Sequence, residues 1–414
     1  MLRFQSMNMP EYDIIIVGGG AAGFFAAINC ASANPKLSIV ILERGKDVLS
    51  KVKISGGGRC NVTHAQFIPD ELVTNYPRGD KELRGPFHTF MTGDTISWFE
   101  DRDVPLKIEE DGRMFPVSDS SQTIIDCFSK EVQRLGIQVL RQHAVQKISK
   151  QDSSFHIETS QGQFKSSHLI VCSGSNPKMW KQLATLKHTI TPAVPSLFTF
   201  NCKDQRLEHL MGVATTAHIT ILDTKLESEG PLLITHWGLS GPAVLKLSAW
   251  GARVLEKLKY RFSVAINWLE YQNTEETYDQ LLVLKHDHAK QSPYTYSQFD
   301  LPKRLWRSLL KQAQILEQDT WATLNKQQLQ LLAQELTAGV FEVNGKSTFK
   351  EEFVTAGGVD LKEINFKTFE SKKVDNLYLA GEVLNIDAIT GGFNFQAAWT
   401  GGYVVAQAIA HKTS

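Results

Sequence analysis

Asp13-Ile14-Ile15-Ile16-Val17-Gly18-Gly19-Gly20-Ala21-Ala22-Gly23 decides the fold. An apolar run suited to a buried strand stops at G-x-G-x-x-G and passes into small residues suited to a helix. A second apolar run, Ile39-Val40-Ile41-Leu42, ends in Glu43, roughly twenty residues after Gly23. Each position has a physical task. Gly18 permits a sharp turn, Gly20 lets a pyrophosphate approach bare backbone, and Gly23 lets helix and strand pack closely. The first-turn N–H groups around Ala21 and Ala22, with the positive end of the helix dipole, face the phosphates. Glu43 stands where a carboxylate accepts hydrogen bonds from an adenosine ribose. Its charge disfavours a 2′-phosphate, so FAD or NAD fits better than NADP. Gly18, Gly20, Ala21, Ala22, Gly23, Glu43 and Arg44 are the candidate contacts at this end of a dinucleotide.

Composition narrows the class. Hydrophobic residues make up 42% and charged residues 21% of 414, enough for a substantial core in two or three domains. Lys plus Arg and Asp plus Glu both number 44, so nothing suggests a nucleic-acid surface or a polybasic membrane patch. No apolar run approaches membrane-spanning length. Met1 to Tyr12 lacks the apolar centre of a signal peptide. Cys30, Cys60, Cys127, Cys172 and Cys202 are scattered and contain no C-x-x-C. A disulfide framework, a zinc site and a dithiol pair are therefore not expected, no metal is proposed, and a cytoplasmic setting is the simplest.

The chain then organises in three stretches. Residues 44–63 read as a loop, dense in glycine at Ser55-Gly56-Gly57-Gly58-Arg59-Cys60-Asn61. Thr95–Phe99 reads as helix. Ser118 or Asp119 is the expected cap of the next helix, which carries Ile124, Ile125, Phe128, Val132 and Leu135 and stops at Gly136. His168–Cys172 is a buried strand that ends in Ser173 and Gly174, two further candidate cofactor contacts. From about residue 191 the pattern alternates in β fashion, as in Ala217–Leu222, and helical stretches follow near 303–316 and 326–336. After residue 349 the first signal returns: Val374 to Leu379 is a strand ending in Ala380-Gly381-Glu382, and Gly391-Gly392-Phe393-Asn394 opens a helix of small residues. The expected fold class is α/β, a Rossmann-like domain (1–190 and 350–414) interrupted by a β-rich and helical insert (191–349).

Three glycine-rich segments far apart in sequence are thus expected around one extended ligand. The first takes adenosine and pyrophosphate. Gly57, Gly58, Arg59, Cys60 and Asn61 supply bare amides and a cation. Gly381 and Glu382 suit a ribitol hydroxyl, and the helix start at Gly392, Phe393 and Asn394 suits the N1–C2=O edge of a flavin, which becomes negative on reduction. These features favour FAD over nicotinamide as the resident cofactor. No second G-x-G-x-x-G occurs, so NAD(P)H is expected at most as a transient reductant.

Longer segments carry a family resemblance. Ile54–Thr63, Gly112-Arg113-Met114-Phe115-Pro116, Thr235-His236-Trp237-Gly238-Leu239-Ser240-Gly241-Pro242, Thr355-Ala356-Gly357-Gly358-Val359, and Ala380–Asp387 with Gly391–Gln396 follow one another in the order of the BaiN/YhiN-type NAD(P)/FAD-dependent oxidoreductases. The chain resembles that aminoacetone-oxidase-like family across nearly its whole length, departing at Asn385 and Ala388, where Asp and Gly are usual. The resemblance implies a glutathione-reductase-like FAD-binding domain, a β-barrel-like and helical insert, and noncovalent FAD. The function expected is hydride transfer between flavin N5 and a small organic substrate, without nucleic-acid or membrane partners. A FAD-binding redox sensor without rapid turnover, and a flavin-dependent RNA-modifying enzyme, are the alternatives. His236 is the candidate proton donor. Cys60 reads as a small buried residue, and Ser240 as the cap of the helix near Pro242. Substrate, reaction direction and oligomeric state stay open.

Overall fold

The computed structural model describes residues 9–270, 272–347 and 354–413. Met1 to Asn8 at the chain start, and residue 350 where the first signal is expected to return, lie outside them. The chain forms two compact units, one up to Val194 and again from Val354, the other from Pro195 until that return.

The first unit is built on five parallel strands. β1 (Glu11–Val17) lies between β2 (Ile39–Leu42) and the strand Gly162–Val171, while Gln138–Leu140 and Leu377–Leu379 flank them. Ile14, Ile15, Ile16, Val40 and Ile41 are fully buried. A parallel sheet covered on both faces explains why these runs are continuously apolar rather than alternating. Val17 pairs with Leu42 and with Val171, Leu42 with Leu140, and Val171 with Leu379. The strands therefore end level. Gly18, Glu43, Cys172 and Ala380, which follow four of those ends, meet at one edge of the sheet. In open parallel sheets that carboxyl edge is where ligands bind.

Helix packing fixes the rest of this unit. α1 (Ala21–Ala33) is buried from Ala22 to Ala31. It lies against the terminal helix Phe393–Thr413, where a Cβ on Gly402 would fall 3.0 Å from Ala26 N and 3.1 Å from Ala22 O. Glycine fits this close approach, where a Cβ would force the neighbouring helix to give by a few tenths of an ångström. Phe25 anchors an aromatic cluster with Phe90, Trp98 and Trp399.

Three local expectations change. Residues 44–63 are not all loop, because α2 (Ser50–Gly58) begins there. It is helical only to Ile54, since Gly56 and Gly57 are left-handed, with φ of 58° and 68°. Ser120, not Ser118 or Asp119, caps the helix Ser121–Arg134, its hydroxyl accepting from Gln122 N–H. Asp119 is instead left-handed (φ 53°) and paired with Lys107 and Arg59. Gly241 rather than Ser240 precedes the helix Pro242–Trp250, and its φ of 92° supplies the turn.

The second unit is a seven-stranded sheet in the order Gly339–Asn344, Arg261–Asn267, Ala214–Ile221, Glu227–Ile234, Gly238–Ser240, Thr199–Asn201, Lys346–Ser347. Its first and last strands are consecutive in the chain, parted by Gly345 alone. Gly345 N–H donates to Tyr260 O and its carbonyl accepts from Asn201 N–H, so the sheet closes on itself. Helices Thr274–Asp287, Lys303–Gln312 and Lys326–Ala338 accompany it. The first of these escaped the sequence reading, although Asn273 and Glu276 form a capping box.

Candidate functional site

The turn after β1 is glycine for two separable reasons. At Gly18 (φ +114°) a Cβ would meet Cys172 O at 2.4 Å, and at Gly23 it would meet Gly18 O at 2.1 Å. Packing alone requires those two. At Gly20, φ is −96° and a Cβ would meet no atom within 4 Å. Protein packing does not explain glycine there. Gly20 also begins α1 with no side-chain cap and no acid in the first turn. The first amides of a helix have no internal partner, so those of Ala21 and Ala22 and the helix dipole suit an anion.

Glu43 anchors the adjacent loop. Its Oε2 accepts from Gly19 N–H at 2.8 Å and its Oε1 from Gly45 N–H at 2.6 Å. The carboxylate is thus oriented by backbone before any ribose arrives, and each oxygen keeps a lone pair. Arg44 follows it directly in the chain.

The second glycine segment mixes the same two kinds of position. Gly56 is pinned by Phe115, 2.8 Å from where its Cβ would sit. Gly57 and Gly58 have φ of +68° and +87° and open space in the Cβ direction. Arg59 does not project a free cation: its guanidinium pairs with Glu109 at 2.5 Å and lies 3.9 Å over the Phe115 ring. Cys60 is buried and left-handed (φ 63°), and burial pushes its thiol up to about 12, so it stays protonated. Asn61 ties this segment to the third. With its amide oriented to satisfy both ends, its oxygen accepts from Gly392 N–H at 3.0 Å and its nitrogen donates to Thr63 O at 3.0 Å.

The third segment packs against the first two. A Cβ on Gly392 would fall 2.6 Å from Thr63 O, and one on Gly381 would fall 3.1 Å from Ala22 Cβ. Glu382 pairs with Lys51 of α2 at 2.5 Å and lies 3.8 Å from where a Gly174 Cβ would project. Ser173 and Gly174 themselves follow the strand that ends at Val171, beside Gly18. The structure therefore brings the three distant turns together. It also corrects one detail. The Gly392 N–H is taken by Asn61, and the Asn394 side chain clamps Ala388 through N–H (3.0 Å) and carbonyl (3.3 Å). The helix start offers the amides of Phe393 and Asn394 instead.

Sequence reasoning missed what braces this loop. Asp387 is fully buried and takes a two-pronged ion pair from Arg78. Tyr76 Oη donates to Phe393 O at 2.6 Å, and His64 Nδ1 lies 3.1 Å from Gly391 O. Burial pushes the His64 imidazole below its ordinary value. The available signal was an aspartate set between Ile386 and Ala388-Ile389.

The pattern fits a dinucleotide. Gly20, Gly57 and Gly58 leave Cβ-sized space that no protein atom claims, beside an uncapped helix end and an oriented carboxylate. His236 belongs to the other unit, where it is exposed at the tip of a tight turn. Among the described residues no cluster of His, Cys, Asp or Glu could hold a metal ion, and no helix is long and apolar enough to cross a membrane.

Comparison with known proteins agrees with this geometry. The family model described as HI0933-like protein Rossmann domain matches residues 12–408. A ribosomal RNA dihydrouridine synthase of Haemophilus influenzae is 29% identical over 98% of this chain and 100% of its own length. A 3-dehydro-bile acid delta(4,6)-reductase of Clostridium scindens is 27% identical over 96% of this chain and 98% of its own. The solved 3-ketosteroid-delta4-(5alpha)-dehydrogenase of Rhodococcus jostii shares the fold, with a TM-score of 0.52, 12% identity and 98% of each chain covered. The exclusion of nucleic acid argued from balanced charge gains no support from the first of these relatives.

Proposed function

The chain belongs to the HI0933-like Rossmann-domain family, the FAD-dependent oxidoreductases that its motifs resemble, and on that premise we propose that it reduces a C=C bond conjugated to a carbonyl, with the uracil ring of RNA as substrate. The two named activities of its relatives share one chemistry. Uridine C5=C6 is conjugated to the C4 carbonyl, and a 3-oxo steroid diene is conjugated to its own. Either acceptor takes a hydride at the electron-poor carbon and a proton at its neighbour.

Bound FAD would supply that hydride. The residues of this chain hold and orient it. The α1 amides at Ala21 and Ala22 face the pyrophosphate across Gly20. Glu43 takes the adenosine ribose, Glu382 the ribitol, and the backbone of Gly57 and Gly58 lies against the ligand without side chains. The positive end of the helix starting at Phe393 stabilises negative charge at the ring edge. Arg59, already answered by Glu109, contributes backbone rather than charge. His236 is the candidate proton donor, and NADH or NADPH the reductant.

The observation that carries the cofactor reading is the meeting of the uncapped α1 start, the backbone-oriented Glu43 carboxylate and the glycine turns that Asn61 and Lys51 tie to Gly392 and Glu382. Anaerobic stopped-flow reduction of the FAD-loaded protein by NADH or NADPH, followed by mixing with a uridine-containing ribosomal RNA fragment or a steroid dienone, tests it. Reoxidation by RNA with formation of dihydrouridine supports the proposal. Reoxidation by the dienone alone moves the substrate to small molecules, and inertness to every donor leaves a redox sensor.

A further inference from the structure

The second unit carries an exposed surface of which the reaction reading uses His236 alone. Strands Glu227–Ile234 and Gly238–Ser240 pair with Ile234 opposite Leu239, and Thr235-His236-Trp237 forms the tip between them. The tip is braced. Thr235 N–H donates to Gly238 O at 2.7 Å, and a Cβ on Gly238 (φ +138°) would fall 2.4 Å from Cys202 N. Trp237 is nonetheless 53% exposed, edge-on to the exposed His236 at 5.7 Å. A rigid turn that holds an indole in water has the form of a stacking platform.

Charge surrounds it unevenly. A cavity of about 350 Å³ opens among Lys203, Asp204, Glu208, His209, Thr235 and His236. Arg304 Nη1 donates to His209 O at 3.1 Å, which brings the helix Lys303–Gln312 to the same rim. That helix carries Lys303, Arg304, Arg307 and Lys311 and no acid. Of the acids in 203–211 and 300–312, Asp204 is held by Arg206 at 2.7 Å, which leaves Glu208 and Asp300 exposed against exposed Lys203, Lys303, Arg304, Arg307 and Lys311. Whole-chain neutrality conceals this local excess.

We propose that this surface docks a single-stranded stretch of RNA, with a base stacked on Trp237 and phosphates held by the cations of 303–312. The inference rests on RNA being the substrate. Its test uses the full-length, FAD-loaded protein and the fluorescence anisotropy of a labelled uridine-rich single strand, titrated at several KCl concentrations. W237A is expected to weaken binding about tenfold. K303Q/R307Q, at exposed positions that keep the test available should W237A fail to fold, is expected to lower the slope of log affinity against log salt by about 1.4, or 0.7 per cation removed. Circular dichroism and FAD content check each variant. Wild-type affinity in W237A together with an unchanged salt slope in K303Q/R307Q overturns the surface while RNA stays the substrate. No binding by the wild type overturns the RNA reading itself.

Discussion

Substitution of Gly20 by valine separates a glycine that packing does not require from those, such as Gly18, that it does. Gly20 sits at φ −96°, ψ −168°, an extended conformation open to any residue, and its Cβ would meet nothing within 4 Å. Loss of a glycine cap costs up to about 1 kcal/mol, and the stiffer unfolded chain offsets about 0.4–1 kcal/mol of it. The apoprotein should therefore keep its unfolding free energy within about 1 kcal/mol. A pyrophosphate needs the same volume, and forced overpacking costs about 1–3 kcal/mol, or about 5- to 150-fold in affinity. Gly18→Ala is the contrast. Its Cβ would fall 2.4 Å from Cys172 O at φ +114°, so the apoprotein itself should lose more than about 2 kcal/mol. The assay is urea denaturation of the apoproteins and titration with FAD, followed by quenching of the flavin fluorescence. G20V that folds and binds FAD within twofold of wild type refutes the reasoning, because the pyrophosphate then does not pass Gly20.

Other outcomes follow from the same geometry. R78M strands the fully buried Asp387 carboxylate and should cost about 3–5 kcal/mol in urea denaturation; a loss below about 1 kcal/mol contradicts the brace. All five cysteines are buried thiols, and burial holds Cys60 up at about 12, so the native protein should react with Ellman's reagent only after unfolding. One rapid equivalent in the native state would contradict this. Burial holds the imidazoles of His168 and His188 below their ordinary value. The folded state thus resists protons that the unfolded state accepts. Stability should be full above about pH 6.5 and fall below it, by at most about 1.4 kcal/mol per pH unit for each group; a urea midpoint that stays flat from pH 7 to pH 5 counts against it. H236Q should lower turnover about a hundredfold or more if His236 delivers the proton, and wild-type turnover removes it from that role.

Much of the first unit was legible because its physics is local. The run Ile14 to Val17, the glycines after it and the acid at Glu43 lie within one βαβ stretch, and close backbone approach leaves few residue choices at Gly18 and Gly23. The return strand Leu377–Leu379 was legible for the same reason. What the sequence concealed depends on partners distant in the chain. Arg59 looked like a cation for a ligand until Glu109 and Phe115 folded onto it. The Gly392 amide looked free until Asn61 reached it. Arg78 and Asp387 are separated by 309 positions and share no pattern. Ser120 displaced Ser118 as a cap because Asp119 adopts a left-handed turn, one that paired cations hold. In the second unit, closure of the sheet hinges on Gly345, where a single residue passes the strand from one edge to the other.

The most direct measurement is calorimetric titration of the apoprotein with FAD, repeated in the presence of ADP. Three glycine turns brought together at one sheet edge predict a single site, one FAD per chain, with ADP competing because the pyrophosphate end is shared. No FAD binding, or binding that ADP leaves unchanged, contradicts the account.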